Sequence, residues 1–197
     1  MIWVYRAIFW IPFLATMAIL AALFWQKIYQ GLKEKTIKKA TLAVLIIFGL
    51  QMIAKMIFFY FLARDSTLGK YLLATPGYLS QNLFYISQSY LQNLLVGIIF
   101  TLIAVIVLKL YKKPVFEKID LWVIFLVSFV ASFPGVFVMI IFALIVMIIV
   151  QVYLKVIKHK NHYRLDPIPF MLSGTIVVGI LNSFDFYLDF LKALKLI

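Results

Sequence analysis

Residues 121–156 read LWVIFLVSFVASFPGVFVMIIFALIVMIIVQVYLKV, and Lys155 is the one charged residue among them. As a continuous helix this stretch would be about 54 Å long, well beyond the ~30 Å hydrocarbon thickness of a bilayer. The sequence Ser132-Phe133-Pro134-Gly135 lies near its middle, and Pro and Gly interrupt helices. The stretch therefore predicts two membrane helices joined by a tight turn or a kink at residues 132–135.

The rest of the chain has the same apolar character, with 65% hydrophobic residues and a mean hydropathy of +1.07. This composition predicts an all-α, polytopic bundle of transmembrane helices that forms a single integral-membrane domain over residues 1–197. The apolar runs predict six spans, near residues 7–25, 41–63, 91–110, 121–133, 136–156 and 168–184.

Charge is unevenly distributed, with 19 Lys and Arg against 7 Asp and Glu. The basic residues concentrate in three loops: Lys27, Lys33, Lys35, Lys38 and Lys39; Lys109, Lys112, Lys113 and Lys118; and Lys155, Lys158, Lys160 and Arg164. Basic loops favour the cytoplasm, which predicts a multi-pass protein of the cytoplasmic (inner) membrane. The expected partner of this charge is anionic lipid rather than nucleic acid, because no basic stretch is interleaved with aromatic residues.

Residues 69–90 are more polar than the flanking spans and carry several aromatic side chains. Tyr is favoured at the level of the lipid headgroups, and Pro76-Gly77 marks a break in regular structure. The segment predicts either an interfacial helix pair or a weakly hydrophobic seventh span.

The chain contains no cysteine, which excludes disulfides and thiolate metal sites. His159 and His162 have metal-compatible spacing, but one basic loop supplies no third ligand, so neither a metal nor a cofactor is expected. Asp185 and Asp189, one helical turn apart, are interpreted as part of a solvated amphipathic tail.

Lys55 lies inside the second apolar run, with Gln51 one helical turn before it. An ionisable side chain at this depth costs a few kcal/mol unless it pairs or reaches the interface. One interpretation is that Lys55 extends past Phe58 and Phe59 to an interface about 12 Å away. The other is that Lys55 and Gln51 line a cavity for a solute together with the polar aromatic segment.

Asp65 and Asp120 each stand at the boundary of an apolar run. Two carboxylates held close together can divide acid and base roles between them, because mutual repulsion keeps one proton on the pair. The alternative is that both are ordinary interfacial residues, since Arg64 is next to one and Lys118 is near the other.

From Asp120 onward the chain resembles the C-terminal half of the type IV prepilin peptidases, which are aspartic peptidases embedded in the bilayer. Asp120 precedes a helix hairpin with a Pro-Gly turn, and a basic loop follows at 155–164. Pro169-Phe170 then leads a helix with small residues at Ser173-Gly174. Further upstream, Asp65 ends an apolar helix, as the family's first catalytic Asp does. Residues 117–120 lack both glycines of the family's GxGD motif.

This resemblance implies a peptidase that cleaves the leader peptides of pilin-like substrates, with Asp65 and Asp120 as the catalytic pair and Pro169 and Phe170 near the substrate. The pair requires both aspartates at one membrane surface, whereas the loop charges place them on opposite sides unless residues 69–90 cross the bilayer. Three alternatives remain open. They are a non-catalytic accessory subunit, a small-solute transporter component built around Lys55, and a structural protein of a membrane complex with helix contacts at Ala18, Ala22 or Gly174.

Overall fold

The computed structural model describes residues 2–110, 117–156 and 165–181, and all regular structure in these ranges is helical. The helices are α1 (Ile2–Tyr29), α2 (Glu34–Asp65), α3 (Thr67–Ala74), α4 (Tyr78–Leu110), α5 (Lys118–Ala131), α6 (Gly135–Val156) and α7 (Ile168–Leu181). The all-α class predicted from the sequence is confirmed.

Four of the described helices, α1, α2, α4 and α6, are long and apolar enough to cross a membrane. The predicted count of six spans is not confirmed, because α5 has 14 residues and α7 is described over 14 residues, up to Leu181. A helix of 14 residues measures about 21 Å, so α5 falls short of the ~30 Å hydrocarbon core. Helix α5 occupies most of the predicted span 121–133, and α7 occupies the described part of 168–184, of which residues 182–184 lie outside the described ranges.

The predicted interruption at residues 132–135 is confirmed, since α5 ends at Ala131 and α6 begins at Gly135. Ser132 has a φ of 56°, in the left-handed region that side chains other than glycine rarely adopt. The Ser132 backbone N–H still donates to the Ser128 carbonyl, at 3.1 Å. The chain therefore turns out of α5 within a single residue.

Residues 69–90 form no separate span in the structure. The segment consists of most of the eight-residue helix α3, a turn at Thr75–Gly77, and the first third of α4, which continues to Leu110 without a break. The polar side chains of this part of α4 are tolerated because several bond to the helix's own carbonyls. Asn82 donates to the Tyr78 carbonyl at 2.8 Å, and Ser87 donates to the Phe84 carbonyl at 2.8 Å.

The short helix α5 lies at the centre of the bundle and packs against α2, α4, α6 and α7. Its side chains Val123, Leu126, Val127 and Phe129 are fully buried. The long helices instead expose many large apolar side chains, which lipid accepts as readily as a protein interior does. The core is thus built around α5, a helix that is too short to cross the bilayer.

One end of the bundle, hereafter the basic end, gathers the C-terminus of α1 and the N-termini of α2, α5 and α7. Lys27 at the end of α1 forms an ion pair with Asp166, just before α7, at 2.7 Å. Lys38 near the start of α2 lies over the ring of Trp122 in α5, 5.5 Å from its centroid. The opposite end, hereafter the far end, contains the C-terminus of α2 and helix α3.

Helices α6 and α7 approach closely at Gly174, where a Cβ would lie 3.0 Å from the Met139 carbonyl oxygen. Gly174→Val is therefore expected to push the two helices apart and lower the free energy of unfolding by about 1–3 kcal/mol. The measurement is unfolding of the purified protein in detergent micelles. Gly49→Val is the matched control, since a Cβ at Gly49 has no atom within 4 Å. Equal stability of the two variants would contradict this account of the contact.

Candidate solute-binding site

The structure does not bring Asp65 and Asp120 together. Asp120 lies at the basic end, two residues before Trp122, whose ring contacts Lys38. Asp65 is the last residue of α2, 27 residues beyond Lys38 in the same continuous helix, which is a separation of about 40 Å. Carboxylates at that separation cannot share a proton. The catalytic roles given to these residues remain a prediction that this geometry does not favour.

Asp120 has a structural role at the start of α5. Its Oδ2 accepts the Glu117 backbone N–H at 2.8 Å, and the two side chains form a capping box. Only 8% of the residue is exposed, and this burial raises the pKa of the Asp120 carboxyl. The neighbouring Asp166 acts in the same direction, while the backbone hydrogen bond and Lys27 oppose it. Asp120 thus helps to hold α5 within the ion-paired basic end.

The other predicted residues divide between the two ends. Pro169 and Phe170 lie in the first turn of α7 at the basic end, where Asp166 Oδ1 accepts the Ile168 N–H at 3.0 Å. They are therefore remote from Lys55, which lies ten residues before the end of α2 at Asp65. The predictions for His159, His162, Asp185 and Asp189 concern residues outside the described ranges. Within those ranges no group of His, Asp and Glu side chains could hold a metal ion.

Lys55 and Gln51 line a cavity of about 220 Å³ in the half of the bundle nearer the far end. Helices α1, α2 and α4 form its walls, and Ser132 and Gly179, close to the ends of α5 and α7, also border it. The position of the cavity follows from helix length. Because α5 ends at Ala131, close to the level of Phe48 in the middle of α2, the longer helices α1, α2 and α4 border space beyond its end.

Polar side chains converge on this cavity from four parts of the fold: Thr16, Gln51, Lys55, Ser89, Asn93 and Ser132. The Thr16 hydroxyl is buried, with 1% of the residue exposed, and has no hydrogen-bond partner in the described chain. Buried hydroxyls are normally hydrogen-bonded, and leaving one unpaired costs about 1–3 kcal/mol. The side chains of Gln51 and Asn93 likewise bond to no described residue, so the cavity presents unused donors and acceptors.

Lys55 is the one charged group among the 15 described residues that line the cavity. No described Asp or Glu forms an ion pair with it. A cation inside a membrane bundle is normally paired or faces a water-filled space. The cavity is therefore an electropositive site whose walls supply no counter-charge.

The apolar part of the lining includes four aromatic side chains from α1, α2 and α4: Phe9, Phe13, Phe48 and Tyr90. Mostly apolar walls with a few convergent polar groups are typical of small-molecule sites. Chemically, this arrangement can hold a small solute that combines a negative charge with an apolar body.

The sequence pointed to Lys55, Gln51 and the polar aromatic segment, but not to Thr16, Asn93 or Ser132. Asn93 follows Ser89 by four residues and therefore shares its helix face. This spacing is visible in the sequence and could have indicated Asn93. The sequence did not indicate a functional role for Thr16, because a hydroxyl in an apolar helix usually bonds to a backbone carbonyl of the same helix. Ser132 reaches the cavity only through the turn geometry at the end of α5.

Comparisons with protein-family models, with curated proteins and with solved structures find no match to this chain.

Proposed function

We propose that this protein is a solute-handling membrane protein, acting as a component of small-solute transport, that binds a small organic anion in the cavity around Lys55. The observation that carries the proposal is an unpaired Lys among unused hydrogen-bonding groups in a partly open cavity of about 220 Å³. Intramembrane charge of this kind commonly marks a substrate pathway.

The charge and the walls of the cavity favour a monocarboxylate. One Lys balances one negative charge, whereas a dianion such as phosphate would leave charge uncompensated in a desolvated site. Gln51 and Asn93 supply amide donors suited to a carboxylate oxygen. The aromatic side chains Phe13 and Phe48 suit an apolar body behind the charge.

The surroundings of the protein form part of the same proposal. Four helices that are long and apolar enough to cross a membrane support the bilayer as its solvent. The concentration of Lys at the basic end favours that end in the cytoplasm and the protein in the inner membrane, by the positive-inside bias. The cavity, nearer the far end, would then exchange solute with the opposite side of the membrane.

Binding of radiolabelled benzoate to the full-length protein in phosphatidylcholine nanodiscs tests the proposal. Saturable binding is expected for the wild type. The Lys55→Met variant is expected to bind at least about tenfold more weakly, because a hydrogen bond to a charged group is worth about 1.5–3 kcal/mol.

Lys39→Met is the matched control, since Lys39 is an exposed lysine of the same helix at the basic end. Its benzoate affinity is expected to equal that of the wild type. The proposed function would be overturned if Lys55→Met bound benzoate as tightly as the wild type. It would also be overturned if none of the three proteins showed saturable binding.

A further inference from the structure

A second depression, hereafter the lipid groove, lies between α1 and α2 and has a volume of about 390 Å³. Its lining is apolar apart from Gln51, and small side chains leave the space open: Ala7, Ala15 and Ala54. Large neighbours such as Ile11 and Leu50 are well exposed along it, at 67% and 61%. The groove therefore faces the hydrocarbon of the bilayer.

Gln51 borders both the lipid groove and the cavity that contains Lys55. Ala54, in the groove, directly precedes Lys55, in the cavity. A polar, positively charged space and an open apolar channel thus adjoin along the same part of α2.

The cavity around Lys55 and the lipid groove lie at the depths of the head and the chain of a lipid. The head would lie near the hydrocarbon boundary on the side of the far end, and the chain would point toward the midplane. Helix α2 is about 48 Å long, so a centred α2 places Lys55 about 6 Å below the hydrocarbon boundary on the side of the far end. The groove residues of α2 run from Ala54 back to Ile47 and extend about 11 Å further toward the middle of the bilayer. A charged head at Lys55 would therefore direct its chain toward the midplane.

Resting on the proposed function, we infer that the ligand is a single-chain amphiphile with a carboxylate head. Its carboxylate binds Lys55 and Gln51, and its alkyl chain lies in the lipid groove between α1 and α2. The charge of Lys55 selects an anionic head, and the apolar lining of the groove selects an alkyl chain over a polar body. A ligand of this kind enters from the membrane rather than from water.

Displacement of labelled benzoate in nanodiscs by carboxylates of increasing chain length tests this inference. At equal free concentration in water, decanoate is expected to displace benzoate at least about tenfold better than acetate, because each methylene that moves from water into the groove contributes favourably. Decanol, which lacks the charge, is expected to displace none.

The Ala54→Phe variant fills the groove and is expected to remove the advantage of decanoate while leaving benzoate affinity unchanged. Leu102→Phe, at an exposed position on α4, is the control and should retain the advantage. If acetate and decanoate compete equally in the wild type, the amphiphile inference is overturned while the proposed function stands. If benzoate binding does not depend on Lys55, the proposed function itself fails.

Discussion

Ser66→Cys and Lys35→Cys variants are expected to react with a membrane-impermeant maleimide from opposite sides of the membrane, with essentially no cross-labelling. Both positions are exposed and lie at the two ends of α2, a 32-residue helix long enough to span the bilayer. The chain has no native cysteine, so the signal comes from the introduced residue alone. The measurement is maleimide labelling of intact cells or sealed vesicles, compared with labelling after permeabilisation.

Two further variants control for local accessibility. Gln30→Cys lies before α2 at the basic end and should be labelled from the same side as Lys35→Cys. Thr75→Cys lies after α3 at the far end and should be labelled from the same side as Ser66→Cys. Labelling of Ser66→Cys and Lys35→Cys from the same side would contradict the topology. That result would place Asp65 at the same surface as Asp120 and restore the aspartic peptidase hypothesis.

The helices themselves were largely predictable because two strong sequence signals agreed. Apolar runs of membrane length predicted α1, α2 and α6, and the Pro134-Gly135 pair predicted the interruption between α5 and α6. The number of spans was not predictable, because hydropathy reports that a segment is apolar without reporting whether it crosses. Helix α5 is apolar for another reason, since it forms the buried centre of the bundle.

The candidate site was predicted only in part. Lys55 was identified because a charge inside an apolar run carries a large energetic cost that demands an explanation. The pairing of Asp65 with Asp120 depended on whether residues 69–90 cross the membrane, which composition did not decide. The structure merges most of this segment into α4, and the two aspartates lie at opposite ends of the bundle.

Reversing the charge of the cavity is expected to change the class of ion that it binds. In Lys55→Glu, benzoate loses its attractive partner and meets a like charge, so its affinity should fall more than about a hundredfold. The aromatic walls remain, and the faces of Phe13, Phe48 and Tyr90 can attract a cation. Lys55→Glu is therefore expected to gain saturable binding of tetramethylammonium, which the wild type should not show.

Lys55→Gln separates the effect of charge from that of shape, because this variant keeps a polar side chain and is expected to bind neither ion tightly. Thermal unfolding in detergent checks that each variant is folded. If Lys55→Glu does not fold, the comparison of Lys55→Arg with Lys55→Gln still tests the claim, since only the Arg variant keeps the positive charge and should retain benzoate binding. Undiminished benzoate affinity in Lys55→Glu or in Lys55→Gln would show that the cavity does not select its ligand by charge, because the positive charge of Lys55 is the property that both variants lack.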